Sequence, residues 1–360
     1  MLAWGCVMAH NGPDAKGGAM SAGGRAAPRD PWVGAWLIAV CLLLIAMILI
    51  GGATRLTGSG LSITEWKPVT GAIPPLGAAD WNEAFAKYRE TAQFKLKNPD
   101  IALADFQILY WWEWSHRLLG RVIGFVFILP FALFWMADRL SGRLWPCLLL
   151  LALGGLQGFV GWWMVQSGLE GRIAVSPVRL AIHLSLAFII LALAWRLALG
   201  AYAWPQKSGR LGGRPLDWIL IGALFIQIIL GAFMAGSGAG LAYSDWPTIG
   251  GEWLPHSYGR LSPFIDNLIA NHATIQFNHR TAGYVFVALA GLTAMISATR
   301  GVGPPQTMAF VVLGLALVQA ALGIGAVVMG APLGMNIVHQ GGAILLWLGV
   351  HALSRAAAWR

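Results

Sequence analysis

Runs of about twenty apolar residues alternate with polar connections along almost the whole of this chain. Eight such runs occupy about 33–53, 116–136, 144–165, 179–200, 217–236, 279–298, 307–329 and 336–355. A helix needs about 20 apolar residues to cross the hydrocarbon layer of a bilayer, so each run predicts one transmembrane helix. Two polar stretches, 54–115 and 237–278, are long, and the other connections are short. Three of the short ones (137–143, 201–216 and 299–306) carry Arg139, Arg143, Lys207, Arg210, Arg214 and Arg300. The N-terminal arm adds Lys16, Arg25 and Arg29, and the tail adds Arg355 and Arg360. Short basic segments stay in the cytoplasm, which puts both termini inside and both long loops outside. Within the first long loop, 80–98 reads as an amphipathic helix with Phe85, Tyr88 and Phe94 on one side. Surface packing is its plainest role; lying on the membrane or lidding a site are the alternatives.

Composition agrees with that pattern. Of 360 residues 57% are hydrophobic and only 11% charged, with 19 Trp and 46 Gly. Soluble domains carry about 25% charged residues. Glycine lets membrane helices approach closely, and tryptophan anchors at the interfaces. The net charge of +9 follows from the basic inner segments and does not call for nucleic acid. Cys6, Cys41 and Cys147 lack metal-type spacing, so neither a zinc site nor a disulfide is expected. Residues 1–30 are Gly/Ala-rich, read as a disordered arm and lack the core of a signal peptide; Met20 is an alternative start.

The chain repeats itself. Gly51-Gly52, Gly58-Ser59-Gly60-Leu61 and Glu65-Trp66 recur as Gly231-Ala232, Gly238-Ala239-Gly240-Leu241 and Asp245-Trp246. Ser115-His116-Arg117 recurs as Asn278-His279-Arg280, Ile182-His183 as Val338-His339, and Gln157 matches Gln319. The expected architecture is an all-α integral membrane protein of eight helices, built as two tandem pseudo-symmetric four-helix bundles, 31–204 and 205–360. Four spans per half give both halves the same orientation, unlike an inverted transporter repeat.

Four of the eight histidines, His116, His183, His279 and His339, fall at matching places, each expected in the first turns of an even-numbered helix near the outer face. Taken singly, each is as readily a packing or interfacial histidine; four in register with a repeat are not. Two imidazoles are too few for zinc but suit the two axial positions of a heme iron inside an apolar bundle. His10, His256, His272 and His351 keep the ordinary reading. Arg117, Arg121, Arg179 and Arg280 are candidate partners for heme propionates, or snorkel to headgroups. Trp112 is a candidate to cap a porphyrin, or belongs to the aromatic belt with Trp111 and Trp114.

The halves differ at one point. Glu113 lies three residues before His116 and shares its helix face, whereas Gln276 stands at the matching place before His279. Glu113 is therefore the candidate catalytic residue, able to accept protons or steady positive charge at a nearby carbon. Complementing a helix N-terminus is its alternative role.

The segments GGATRLTGSGLSITEW, EWSHRLLGR, NHATIQFNHR and NIVHQ resemble the heme A synthase family over the chain from about Trp32 onward. The resemblance is to the branch of mitochondria and their bacterial relatives. A different branch has a cysteine pair in the first outer loop, and 54–115 contains none. The resemblance implies oxidation of a porphyrin methyl of heme O to a formyl group, through two hydroxylations and loss of water, to give heme A for terminal cytochrome oxidases. It implies that His116 and His183 hold heme O, that His279 and His339 hold a permanent heme b, and that Glu113 stands at the reacting methyl. Heme O synthase and an electron-transfer partner are the expected partners in the cell inner membrane, and a homo-oligomer is compatible with the sequence. Competing readings are a quinol-linked di-heme electron carrier, which does not account for Glu113 in one half only, and a heme-handling assembly protein without catalysis.

Overall fold

The computed structural model describes residues 29–202, 214–300 and 302–357. The expected N-terminal arm, the alternative start and the 204/205 boundary lie outside or at the edge of these residues. Eight described helices are long and apolar enough to cross a membrane. They are α1 (Pro31–Leu56), α4 (Leu103–Met136), α5 (Leu144–Leu169), α6 (Pro177–Ala201), α7 (Pro215–Ser237), α9 (His272–Ala298), α10 (Pro304–Val328) and α11 (Leu333–Ala357). Three short helices lie in the long loops: α2 (Ala78–Arg89), α3 (Ala92–Lys97) and α8 (Asp266–Ile269). No strand occurs among the described residues. The all-α, multi-pass membrane class is therefore observed.

Helix starts follow local chemistry. Pro31, Pro177, Pro215 and Pro304 occupy first-turn positions, where a missing N–H costs nothing. Asp30 caps α1 through the amides of Trp32 and Val33, and Arg139 grips the same carboxylate with two nitrogens at 2.9 and 2.7 Å. Gly58 (φ +71°) and Gly238 (φ +76°) turn the chain after α1 and α7 in the left-handed conformation that glycine tolerates, one per repeat.

Within the first repeat α1 packs on α4 and α6, and α5 on α6; within the second α7 packs on α9 and α11, and α10 on α9 and α11. Contacts of α6 with α7 and of α11 with α1 and α6 join the two sets. Two indoles cross-link α6 and α11 reciprocally. Trp195 donates to the Leu348 carbonyl at 3.0 Å, and Trp347 donates to the Phe188 carbonyl at 2.9 Å. A buried indole N–H needs such a partner, and lipid offers none.

Two expectations change. α4 begins at Leu103, well before the apolar run starting at 116, so His116 is its fourteenth residue and not in its first turns. The other three histidines do sit in the second turn of their helices. The amphipathic segment 80–98 breaks into α2 and α3 around Glu90–Thr91. Phe85, Tyr88 and Phe94 do share a side, and all three meet one another or Phe106 of the α4 extension. Tyr88 and Phe106 are wholly buried, so the segment packs on the protein, and its Gln93 and Lys97 border an internal cavity.

Candidate heme sites

Each of the four histidines is seated by a glycine on the neighbouring helix. A Cβ on Gly51 would stand 2.9 Å from His116, and the same distance separates Gly161 from His183 and Gly323 from His339; for Gly231 and His279 it is 3.3 Å. Only a residue without a side chain leaves room for an imidazole there. His116 and His183 thus meet α1 and α5, and His279 and His339 meet α7 and α10, the same positions in both repeats.

All four histidines border one continuous cavity of about 1450 Å³ that runs through both repeats. The ring centroids of His279 and His339 are 6.5 Å apart. Two imidazole–metal bonds of about 2 Å each fit in that gap with one metal ion between the rings. Among the described residues no three of His, Cys, Asp and Glu gather as a metal site; what His279 and His339 offer is a pair of imidazoles. Such pairs complete the coordination of an iron whose other four ligands come from a macrocycle.

Polar atoms around the cavity also fit an anionic porphyrin. Arg55 Nε, Arg121 Nη1 and Arg280 Nε are shielded from solvent and have no hydrogen-bond partner. All three residues line the cavity, and guanidinium groups match carboxylates such as propionates. Arg55 was not singled out from the sequence. It sits at the end of an apolar run, where one charge reads as a snorkelling residue, yet its Nη2 donates to the Gly236 carbonyl of the other repeat at 2.9 Å.

The basic candidates separate by location. Arg117 donates to the carbonyls of Ile63 and Glu65 and to Glu113; Arg280 donates to those of Asp245 and Thr248 and to Gln276. These matched arginines tie each long loop to its helix. Arg121 holds the carbonyls of Lys67 and Pro68. Arg179 lies off the cavity, donating to the Trp163 carbonyl and resting 4.5 Å above the Trp163 ring. Trp112 is not among the cavity's lining residues, whereas Trp162 and Trp246 are.

Glu113 is buried and lines the cavity; Gln276 is buried and does not. One carboxylate oxygen of Glu113 accepts from Ser62 Oγ at 2.8 Å and the Ile63 amide at 2.9 Å; the other accepts from Arg117 Nη2 at 2.6 Å. Gln276 keeps the arginine contact but donates its amide to the carbonyls of Ala239 and Tyr243, both at 2.9 Å. The exchange of acid for amide thus reverses the polarity of the loop contact and leaves only the first repeat with a carboxylate at the cavity.

The long loops carry acids at matching places. Lysines 67 and 87 hold the Glu65 carboxyl below its usual value. The amides of Gly251 and Gly250 hold that of Asp245 down at about 2.

Fold and site together define a multi-pass helical membrane protein with four glycine-seated histidines along one cavity. A family profile described as cytochrome oxidase assembly protein matches residues 34–350, and the chain belongs to that family. It is 46% identical over 332 residues to the heme A synthase of Maricaulis maris, covering 91% of this chain and 95% of the relative. It is 47% identical to the heme A synthase of Methylobacterium radiotolerans over 93% of this chain and 94% of the relative. With that of Paracoccus denitrificans the identity is 48% over 87% and 84% of the two chains.

Proposed function

We propose that this protein oxidises one methyl group of heme O to a formyl group, giving heme A. In this reading His116 and His183 hold the substrate in the first unit, 31–204, and His279 and His339 hold a resident heme b in the second, 205–360. Heme b supplies one-electron transfer when bound. Both termini are cytoplasmic, and the pockets open toward the outer face of the inner membrane. Heme O synthase supplies the substrate, and a separate redox partner takes the electrons.

The observation that carries the proposal is the unlike pair Glu113 and Gln276 on otherwise matched scaffolds. A carrier of electrons needs no acid beside a porphyrin edge. A methyl-to-formyl conversion removes four electrons and adds one oxygen, releasing protons at the reacting carbon. Glu113 is fixed by Ser62, Ile63 and Arg117, an arrangement that matches a carboxylate anion aimed by its neighbours. Held in this way, it accepts protons from, or stabilises positive charge on, the reacting carbon without reorganising. Arg55 and Arg121 would hold the substrate's propionates and so set which porphyrin edge meets Glu113, and Arg280 would hold those of heme b.

The test is expression in membranes that make heme O and no heme A, followed by acid–acetone extraction and mass analysis. Heme A appearing only with this protein supports the proposal. Heme b alone, with heme O unconverted, favours the di-heme carrier. Isotope labelling of the formyl oxygen from water or dioxygen then identifies its source.

A further inference from the structure

The glycines that seat the histidines belong to a longer pattern. Four residues before Gly161, Gly231 and Gly323 stand Gln157, Gln227 and Gln319, one helical turn along the same face. Each glutamine donates its amide nitrogen to the backbone carbonyl of the histidine opposite: Gln157 to His183 at 3.1 Å, Gln227 to His279 at 3.0 Å and Gln319 to His339 at 2.9 Å. A carbonyl only accepts, so this contact fixes which end of each amide is nitrogen. The same nitrogens stand against the rings, 3.3 Å from both Nδ1 and Nε2 of His183, 3.3 and 3.5 Å from those of His279, and 3.5 Å from Nε2 of His339. The other end of each amide, Oε1 of Gln157, Gln227 and Gln319, is shielded and has no partner. The three equivalent amides are therefore held by their nitrogen ends alone. The fourth place breaks the pattern. Four residues before Gly51 stands Met47, whose thioether cannot donate to a carbonyl. Its methyl occupies the space a glutamine would fill: a Cβ on Gly120 would meet Met47 Cε at 3.4 Å, as one on Gly283 would meet the Gln227 amide at 3.3 Å. His116 Nδ1 has no hydrogen-bond partner, but neither has His339 Nδ1, so what sets His116 apart is the missing amide and not an orphaned ring nitrogen.

We infer that Gln157, Gln227 and Gln319 are positioning residues that clamp their histidines at two points, and that Met47 leaves His116 as the one unclamped ligand. The amide nitrogen holds the histidine's backbone carbonyl and packs on the ring of the same residue, so two contacts fix how the imidazole faces the cavity. Supporting contacts of this kind orient a ligand before it meets a metal. The second unit has two clamped histidines and the first has one. The consequence is a second unit that retains its porphyrin and a first unit that exchanges one, as a site for a substrate and its product must. This rests on the assignment of heme O to the first unit and heme b to the second.

The test uses the full chain carrying both porphyrins. Loss of each heme to excess apomyoglobin is followed for the wild type and for Met47→Gln. The variant is expected to release porphyrin from the first unit about 10- to 100-fold more slowly, the range seen when such supporting contacts change. A second measurement keeps the inference open to refutation should that variant fold poorly. The low-spin EPR signal of heme b, which reports how its imidazoles are turned, should shift in Gln227→Leu, which fills the same space without the amide. A residue that only fills space would leave that signal unchanged in the leucine variant. Wild-type release rates in Met47→Gln, or an unchanged signal in Gln227→Leu, overturn the inference. A wild-type protein that takes up no porphyrin overturns instead the heme assignment beneath it.

Discussion

The two repeats place the same parts in the same order and differ in very few of them. Each seats two histidines against glycines, anchors a long loop with a matched arginine (Arg117 or Arg280) and turns out of its first helix on a left-handed glycine. Against that shared frame, Glu113 faces Gln276 and Met47 faces Gln227. The comparison separates what a porphyrin pocket requires from what a reaction requires. Seating and anchoring recur in both halves; the acid and the missing amide occur only in the half assigned to the substrate.

The largest effect should come from removing ligands one half at a time. His116→Ala is expected to abolish heme A while heme b remains, and His279→Ala to strip heme b from the purified protein; extraction and chromatography of the hemes check both. If either substitution emptied both pockets equally, the halves would not be separate sites. Next comes the acid itself. Glu113→Gln should cut the yield of heme A by about 10²- to 10⁴-fold, the usual contribution of a positioned acid or base, with heme content preserved. Gln276→Glu should not create a second reaction site, because that side chain does not border the cavity, but it should loosen the 237–278 loop to limited proteolysis, because a carboxylate cannot donate to the Ala239 and Tyr243 carbonyls.

Smaller changes test the seating. Alanine normally favours a helix over glycine by about 1 kcal/mol. Gly51→Ala should nevertheless weaken porphyrin binding, because the new methyl would stand 2.9 Å from the His116 ring. Gly231→Ala, with 3.3 Å available, should perturb its pocket less. Heme content per chain reads both, and a larger loss at Gly231 would contradict the seating argument. Trp195→Phe and Trp347→Phe should each lower stability by about 1 kcal/mol, one indole hydrogen bond apiece, in reversible unfolding in detergent.

The smallest difference lies in the loops. The carboxyls of Glu65 and Asp245 are both held below ordinary values, so each stabilises its folded loop above that range and loses the contribution as pH falls through the folded value, about 2 for Asp245. Their causes differ, lysines in one and backbone amides in the other. Raising salt to 1 M, where the screening length is about 3 Å, should loosen the Glu65 loop and spare Asp245. Hydrogen exchange should find the Gly250 and Gly251 amides protected at pH 4 in either salt and exposed toward pH 2.

Helix number, the internal repeat and all four histidines were legible in the sequence, because apolar length and matched motifs are strong signals. The outer extension of α4 was not. Leu103–Ser115 mixes Asp105, Gln107 and Glu113 among its apolar residues, so hydropathy sees no span there. The helix persists because Phe106 and Tyr110 pack beneath the aromatics of α2 and α3. The break at Glu90–Thr91 was invisible for a related reason: both pieces keep their aromatics on one side, and only the Thr91 hydroxyl, capping the Phe94 amide, marks the new start. Arg55 and Met47 escaped because their meaning is relational. A terminal arginine and an apolar methionine are unremarkable until the other repeat is laid against them.

The central claim is that one carboxylate turns one of two matched pockets into a reaction site. Heme extraction from wild type and Glu113→Gln, purified side by side from membranes that make heme O, tests it most directly. Heme A with heme b in the wild type, and heme O with heme b in the variant, is the predicted result. Equal heme A in both proteins would contradict it.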